Sequence, residues 1–316
     1  MEQFTFASLT PKKKGILRAE KFLEEMEKVI PWKELLKLIE PHYYLNKRGR
    51  QAHPLLLMVK IHFLQQWYNL ADLAIEEAIY DRLSFQKFLK LDLMRDRVPD
   101  ETTILNFRHL LEEKDLASMI FRIINRLLEE EGLLMKQGTI VDATIMRSPT
   151  STKNKEHKRD PEMKSTKKNN EWFFGFKAHI GADMKGGLVH SLEVTNAKVS
   201  DREKFFDLLH GEEEAVLGDK GYVNKKDKKQ AREAGIFWGI LDRGSRVKKL
   251  SKNQNKRNQK LSRVRAKVEH PFRIIKDLWG HRKTRYRGLK KNRSKMYLLF
   301  SLSNLYMARK GILQRA

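Results

Sequence analysis

Three acidic residues are placed where carboxylates can do chemistry. Asp142 lies within Thr139-Ile140-Val141-Asp142-Ala143-Thr144-Ile145, a short β-branched run that is apolar on both sides of the charge. Burying an unpaired carboxylate is costly, so Asp142 is paired, faces solvent near a strand end, or binds a cation. Asp219 closes the run Ala215-Val216-Leu217-Gly218-Asp219. That is the C-terminal edge of a strand, where α/β sheets place ligand sites, although a turn or capping Asp gives the same pattern. Glu269 follows Arg265 by one helical turn in Arg265-Ala266-Lys267-Val268-Glu269-His270-Pro271-Phe272. On a helix Val264, Val268, Phe272 and Ile275 make an apolar stripe, and Arg265, Glu269 and Lys276 fall on the polar edge beside it. A surface Arg265–Glu269 pair, worth a few tenths of a kcal/mol, accounts for that spacing equally well. Pro271 either kinks such a helix or starts it.

Breaking a phosphodiester is the chemistry that would unite these groups. In-line displacement needs an activated water or 3′-hydroxyl and a stabilised leaving oxygen, which two cations about 3.5–4 Å apart can supply. Hard cations such as Mg²⁺ prefer carboxylate oxygens and need few of them. Spacing alone leaves the assignment open.

The elements around these residues change character along the chain. Residues 1 to about 135 read as helices, punctuated by Pro31, Pro41, Pro54 and Pro99. Leu116, Met119, Ile120, Ile123, Ile124 and Leu127 fall on one helical stripe. Leu55 to Tyr68 and Asp100 to Leu111 show similar patterns, with Asp100 or Thr102 as N-cap. After Gly132 the first strand carries Asp142, and the lysine-rich segment that follows is expected as a loop. Trp172 to Ile180 and Leu188 to Thr195 read as strands joined by the turn Asp183–Gly187. A helix near Arg202 to Leu209, a strand Ala215 to Asp219, a helix Lys225 to Ala234 and a strand Ile236 to Leu241 come next. A basic loop, 243–261, precedes the final helices. The pattern is that of an α/β layer. It divides the chain into a helical region, 1–135, and an α/β domain, 136–310.

Charge narrows the partners. The chain has 65 Lys+Arg against 40 Asp+Glu, a formal charge of +25. The stretch from Ser245 to Lys295 carries a net +18 and that from Pro149 to Asn170 a net +4, so most of the excess is concentrated in two runs. Such a distribution reads as a nucleic-acid footprint, giving affinity without sequence information. Lys248, Lys249, Lys252, Lys256 and Arg257 are candidate DNA contacts within the larger run. No apolar stretch approaches the roughly 20 residues of a membrane span. Met1-Glu2-Gln3-Phe4 gives no sign of a signal peptide. The absence of cysteine excludes disulfides, thiolate zinc sites and cysteine nucleophiles, and fits a reducing cytoplasm.

Taken in order, these motifs resemble transposases of the insertion sequence five family, within the DDE group whose catalytic domain is ribonuclease-H-like. The resemblance runs from Pro99-Asp100-Glu101-Thr102-Thr103 to the closing helix near Leu299. It includes Gly138-Thr139-Ile140-Val141-Asp142-Ala143-Thr144, Gly175-Phe176-Lys177-Ala178-His179 and Gly218-Asp219-Lys220-Gly221-Tyr222. The C-terminal signature of Tyr, Arg, Glu and Lys is met in register by Arg265, Glu269 and Lys276, with Ser262 in place of the tyrosine. The resemblance implies a mixed sheet flanked by helices and preceded by an all-α N-terminal region. It implies Asp142, Asp219 and Glu269 as a catalytic triad holding Mg²⁺ or Mn²⁺, two ions, with Arg265 and Lys276 on DNA phosphates. Double-stranded DNA at the element's ends and at the target is the implied partner, bound by a homodimer on paired ends at the bacterial nucleoid. A DNA-binding protein without catalysis and a ribonuclease-H-like nuclease are the rival readings.

Lys177 and His179 share one face of a strand, and substrate contact beside Asp142 is expected of them. Trp172, Phe173, Phe174 and Phe176 can stack on splayed bases, but core packing is the favoured reading. His190 and His210 are expected as surface or capping residues.

Overall fold

The computed structural model describes residues 15–43, 51–245, 247 and 249–315. Among the described residues seven α-helices come first: α1 (Arg18–Val29), α2 (Trp32–Ile39), α3 (Leu55–Tyr68), α4 (Asp72–Asp81), α5 (Leu83–Leu89), α6 (Glu101–Glu113) and α7 (Leu116–Glu130). α3 is mostly apolar and is buried on every side except at Leu56 and Tyr68, its Lys60, His62, Gln65 and Gln66 included. Its one buried cation, Lys60, donates to Glu27 at 2.7 Å and to the Phe88 carbonyl at 3.0 Å. Asp100 caps α6 by accepting from the Thr103 amide at 2.7 Å, which settles the choice between Asp100 and Thr102. The buried stripe of α7 is rotated from the expected one. Ala117, Phe121, Asn125 and Leu128 are buried with Ile120 and Ile124, whereas Met119 is 40% exposed.

The sheet has six strands: β1 (Gly138–Arg147), β2 (Lys164–Lys168), β3 (Glu171–Asp183), β4 (Val189–Asn196), β5 (Ala215–Gly218) and β6 (Phe237–Ile240). β1 is central, antiparallel to β3 and parallel to β5, and β6 extends the parallel side. β2 and β4 pair antiparallel with successive halves of the long β3. The antiparallel strands β1 to β4, followed by β5 and β6 on the parallel side, give the ribonuclease-H-like sheet, flanked by helices, that the sequence implied.

Three local expectations are corrected. The lysine-rich segment after β1 contains β2, joined to β3 through Asn169 and Asn170 at φ 50° and 64°. Two left-handed residues make the primed turn that favours Asn. The stretch expected as a helix from Arg202 to Leu209 is instead two short 3-10 turns, Asp201–Lys204 and Phe206–Leu208. Much of the stretch expected as a basic loop is helix α9 (Lys252–Arg265), started by a capping box between Ser251 and Gln254. α9 has no buried residue, so no apolar stripe marks it in the sequence. α8 (Lys225–Glu233) falls where expected.

A 3-10 turn, Ala266–Val268, leads from α9 into α10 (Glu269–Arg273), and the chain widens to a π turn over Ile274–Leu278. Pro271 lies in the first turn of α10, where its missing N–H breaks no helical bond. The last helix, α11 (Leu289–Arg315), packs against α1, α7, α10 and β4. One hydrophobic core therefore runs from the N-terminal helices through α11 to one face of the sheet. A smaller cluster of Val141, Phe205, Leu208, Val216, Tyr222 and Ile240 covers the other face. Among the described residues no helix is long and apolar enough to cross a membrane.

Candidate active site

Strand register decides which side chains meet. Asp142 stands opposite Ile180 and Thr144 opposite Ala178, so these four share one face of the sheet. β1 and β5 pair last at Ile140 and Leu217. Asp142 and Asp219 each lie two residues further on, and Asp219 keeps an extended backbone at φ −72° and ψ 166°. Side chains two apart point the same way, so both carboxylates belong to the same face, Asp142 within β1 and Asp219 just past the end of the neighbouring β5. The Asp219 carboxylate accepts from the Gly221 amide.

The third acid comes from the helices laid over that face. Arg265, the last residue of α9, donates to Asp142 at 3.0 Å, and its other terminal nitrogen lies 3.5 Å from Glu269. The guanidinium thus links a largely buried carboxylate to one that is 63% exposed. Burial raises the Asp142 pKa, and Arg265 opposes that rise. The turn between β3 and β4 fixes the approach of this segment. Lys267 donates to the carbonyls of Met184 and Lys185, each at 3.0 Å. Gly187, at φ +72°, leaves room for Lys267; a Cβ there would sit 2.7 Å from its carbonyl oxygen. On the π turn, half-buried Lys276 donates to Thr144 Oγ1 at 2.6 Å and to the Ile145 carbonyl at 2.7 Å. Burial lowers its pKa to about 8.

The structure brings Asp142, Glu269, Arg265 and Lys276 onto one face with Asp219 at the adjoining strand end. It does not bring three acids into a cage: among the described residues no three His, Asp or Glu side chains are grouped to hold a metal ion. The donor chemistry fits a hard cation all the same, because two carboxylates already converge on one positive charge, that of Arg265.

Lys177 and His179 are placed otherwise than expected. They stand opposite Ile145 and Ala143, on the sheet face that Asp142 does not share. His179 is fully buried, with Nε2 2.8 Å from Thr195 Oγ1, and burial lowers its pKa to about 4. Lys177 donates to the Val199 carbonyl at 2.7 Å and pairs with Asp201 at 2.9 Å. Both hold the fold of that layer, which corrects the expectation that they touch substrate beside Asp142. His190 is half-buried. Its Nε2 is 3.1 Å from Thr139 Oγ1, and burial lowers its pKa to about 3.

In the basic run, Lys249, Lys252 and Lys256 are exposed. Arg257 instead donates to the carbonyls of Ile240 and Trp238, at 3.1 and 2.6 Å, and pairs with Asp242, fastening α9 to β6. Lys248 lies outside the described residues. The aromatics of β3 divide: Phe176 is 1% exposed and packs in the core, whereas Trp172 is 68% exposed, against the expectation of core packing. Sequence reasoning also missed Thr144, the acceptor for Lys276. Its alternation with Asp142 on β1 was the available signal.

The site thus sets Asp142, within β1, and Asp219, just past the end of β5, on one face of a ribonuclease-H-like sheet, with the helix-borne Glu269 over it. A transposase DDE domain family matches residues 134–305, more than half of the chain, and a transposase domain (DUF772) matches residues 12–110. The chain belongs to the transposase DDE domain family, in the pairing typical of bacterial insertion-sequence transposases. Among solved structures, it is similar to the crystal structure of the Mos1 strand transfer complex at 12% identity. That match covers 79% of this chain and 85% of the other, with a TM-score of 0.20.

Proposed function

We propose that this transposase nicks DNA at the ends of its own insertion sequence and joins the freed 3′-hydroxyl to target DNA. The observation that supports this best is the charged cluster of Asp142, Arg265 and Glu269, assembled from distant parts of the chain beside Asp219. Asp142, Asp219 and Glu269 would hold Mg²⁺ or Mn²⁺, two ions that activate the attacking oxygen and stabilise the leaving one. For that, the Arg265 guanidinium leaves Asp142 and turns to a DNA phosphate, a partner its planar fork suits. Lys276, anchored on β1, presents its ammonium to the phosphate on the same face. The exposed lysines of α9 bind the backbone further out, and the N-terminal helices recognise the terminal repeats. Two copies pair the two ends at the bacterial nucleoid.

A DNA-binding protein without catalysis is the second reading, favoured by the seating of Arg265 on Asp142. Metal removal separates the two. Chelator-treated protein should bind DNA carrying the element's ends and leave it intact, and added Mg²⁺ should restore nicking in a gel assay. Intact ends in both Mg²⁺ and Mn²⁺, with binding preserved, would establish the silent binder.

A further inference from the structure

An open groove of about 590 Å³ lies where β4 faces α7, with Asp207 and His210 on its other wall. Among the described residues β4 pairs with β3 alone, so it forms this edge of the sheet. The groove is removed from the acidic face in two ways. β3 separates β4 from β1. The His190 ring also sits on the far side of the sheet, because a Cβ on Gly181 would lie 2.9 Å from its Cε1. Gly181 follows Ile180, which shares the face of Asp142, and so it points to the opposite one.

The floor of the groove has its polar groups engaged or sealed. Nε2 of His190 is 3.1 Å from Thr139 Oγ1, and Nδ1 is 2.9 Å from Ser191 Oγ. His210 keeps Nε2 buried, 3.4 Å from Glu213. Tyr297 donates its hydroxyl to the Leu192 carbonyl at 3.0 Å. The rim is different, because only its acids are engaged. Glu129 pairs with Lys136 at 3.0 Å and Asp207 with Lys204 at 2.7 Å. Arg122 and Arg126, one turn apart on α7, are exposed, and neither has an ion pair or a hydrogen bond among the described residues. Like charges at that spacing repel, and no carboxylate of the fold offsets them. Arg293, 5.6 Å over the Tyr297 ring, brings a third guanidinium to the other side.

We infer that this groove binds the phosphate backbone of a second DNA duplex, with Arg122 and Arg126 each taking a phosphate, while the acidic face holds the duplex that is cut. The inference rests on the reading that the acidic face cuts DNA. A floor without free polar groups gives a small ligand nothing to be selected by. Planar guanidiniums on an open rim, in contrast, fit phosphate oxygens in pairs. Side chains one turn apart have Cβ atoms about 6 Å apart, which lets each reach its own phosphate. Such contacts carry no sequence information, so the second duplex is held whatever its sequence. A chain that holds two duplexes at once brings two DNA segments together.

The test uses the full chain, a duplex carrying the element's end with an acceptor dye, and a duplex of unrelated sequence with a donor dye. With the end duplex saturating, wild type should take up the second duplex and give energy transfer without releasing the first. Arg122→Gln with Arg126→Gln keeps the helix, because Gln is a good helix former at exposed positions. That variant should take up the second duplex roughly 10-fold more weakly or worse, the worth of one charge-assisted contact. Its log–log salt slope for uptake should fall by about 1.8. Affinity for the end duplex, held on the other face, should stay within about 2-fold. Arg122→Lys with Arg126→Lys, which keeps the charges without the fork, should retain most of the slope. Uptake by the glutamine variant equal to wild type, with a matching melting curve, would overturn the inference. So would a second duplex that only displaces the first from wild type. Failure of wild type to nick would count against the cutting reading alone, because uptake and slope are read without cleavage.

Discussion

Asp142 is pulled two ways: burial disfavours its charge and raises its pKa, and Arg265 at 3.0 Å opposes that rise. Such a carboxylate is suited to exchange one cationic partner for another, which Glu269, exposed and only 3.5 Å from the same guanidinium, can follow. Histidines make the opposite case, because the fold keeps them neutral. Burial lowers His62 and His179 to about 4 and His190 and His281 to about 3. Below their ordinary value of about 6.5 the unfolded chain takes up protons that the folded chain refuses. Their stabilisation is therefore complete above about pH 6.5 and is lost as pH falls towards 4. Each contributes a slope of up to about 1.4 kcal/mol per pH unit. Urea midpoints at pH 7.5, 6 and 5 should fall steadily, and His281→Gln should shallow the decline. A midpoint unchanged over that range would show that these rings are not held neutral. None of this burial was readable in the sequence, where His179 and His190 look like ordinary strand residues.

Among the elements, β1, β3, β4, β5 and β6 were readable because apolar runs and turn residues mark them, and α8 because it fills the polar interval between β5 and β6. α9 and β2 were not, because both are almost wholly polar and neither buries a face. The signals they did carry are local: Ser251 with Gln254 as a capping box, and Asn169-Asn170 as a primed turn. Once α9 is a helix, its charges separate by role. Lys252, Lys256, Lys260 and Arg263 form an exposed stripe one turn apart, while Arg257 is committed to β6. Changing those four to Gln should lower the log–log salt slope of DNA binding by roughly 0.9 for each phosphate that is no longer neutralised. Arg257→Gln should leave the slope nearly unchanged and lower the melting temperature instead. A wild-type slope in the fourfold variant would assign the stripe to solvation.

At the scale of the whole molecule, the helical region and the sheet share one core through α11. The contact is specific as well as apolar. Asn304 on α11 accepts from the Val189 amide at 2.8 Å, donates to the Val189 carbonyl at 2.7 Å and to Asn125 on α7 at 2.8 Å. The sequence divides the chain near residue 135 by its change of periodicity. It cannot report this closure, because Asn125, Val189 and Asn304 are brought together only by packing. The active face inherits that rigidity: α10 and the π turn lie between α11 and β1, so Glu269 and Lys276 are set by the same core. The most direct measurement is nicking of DNA carrying the element's ends by Asp142→Asn, assayed in Mg²⁺ beside end binding by the same sample. The substitution keeps the shape of the side chain and removes the charge that a hard cation needs. Binding should persist and nicking should fall by orders of magnitude. Folded, end-bound Asp142→Asn that nicks at the wild-type rate would contradict the assignment of this carboxylate to catalysis.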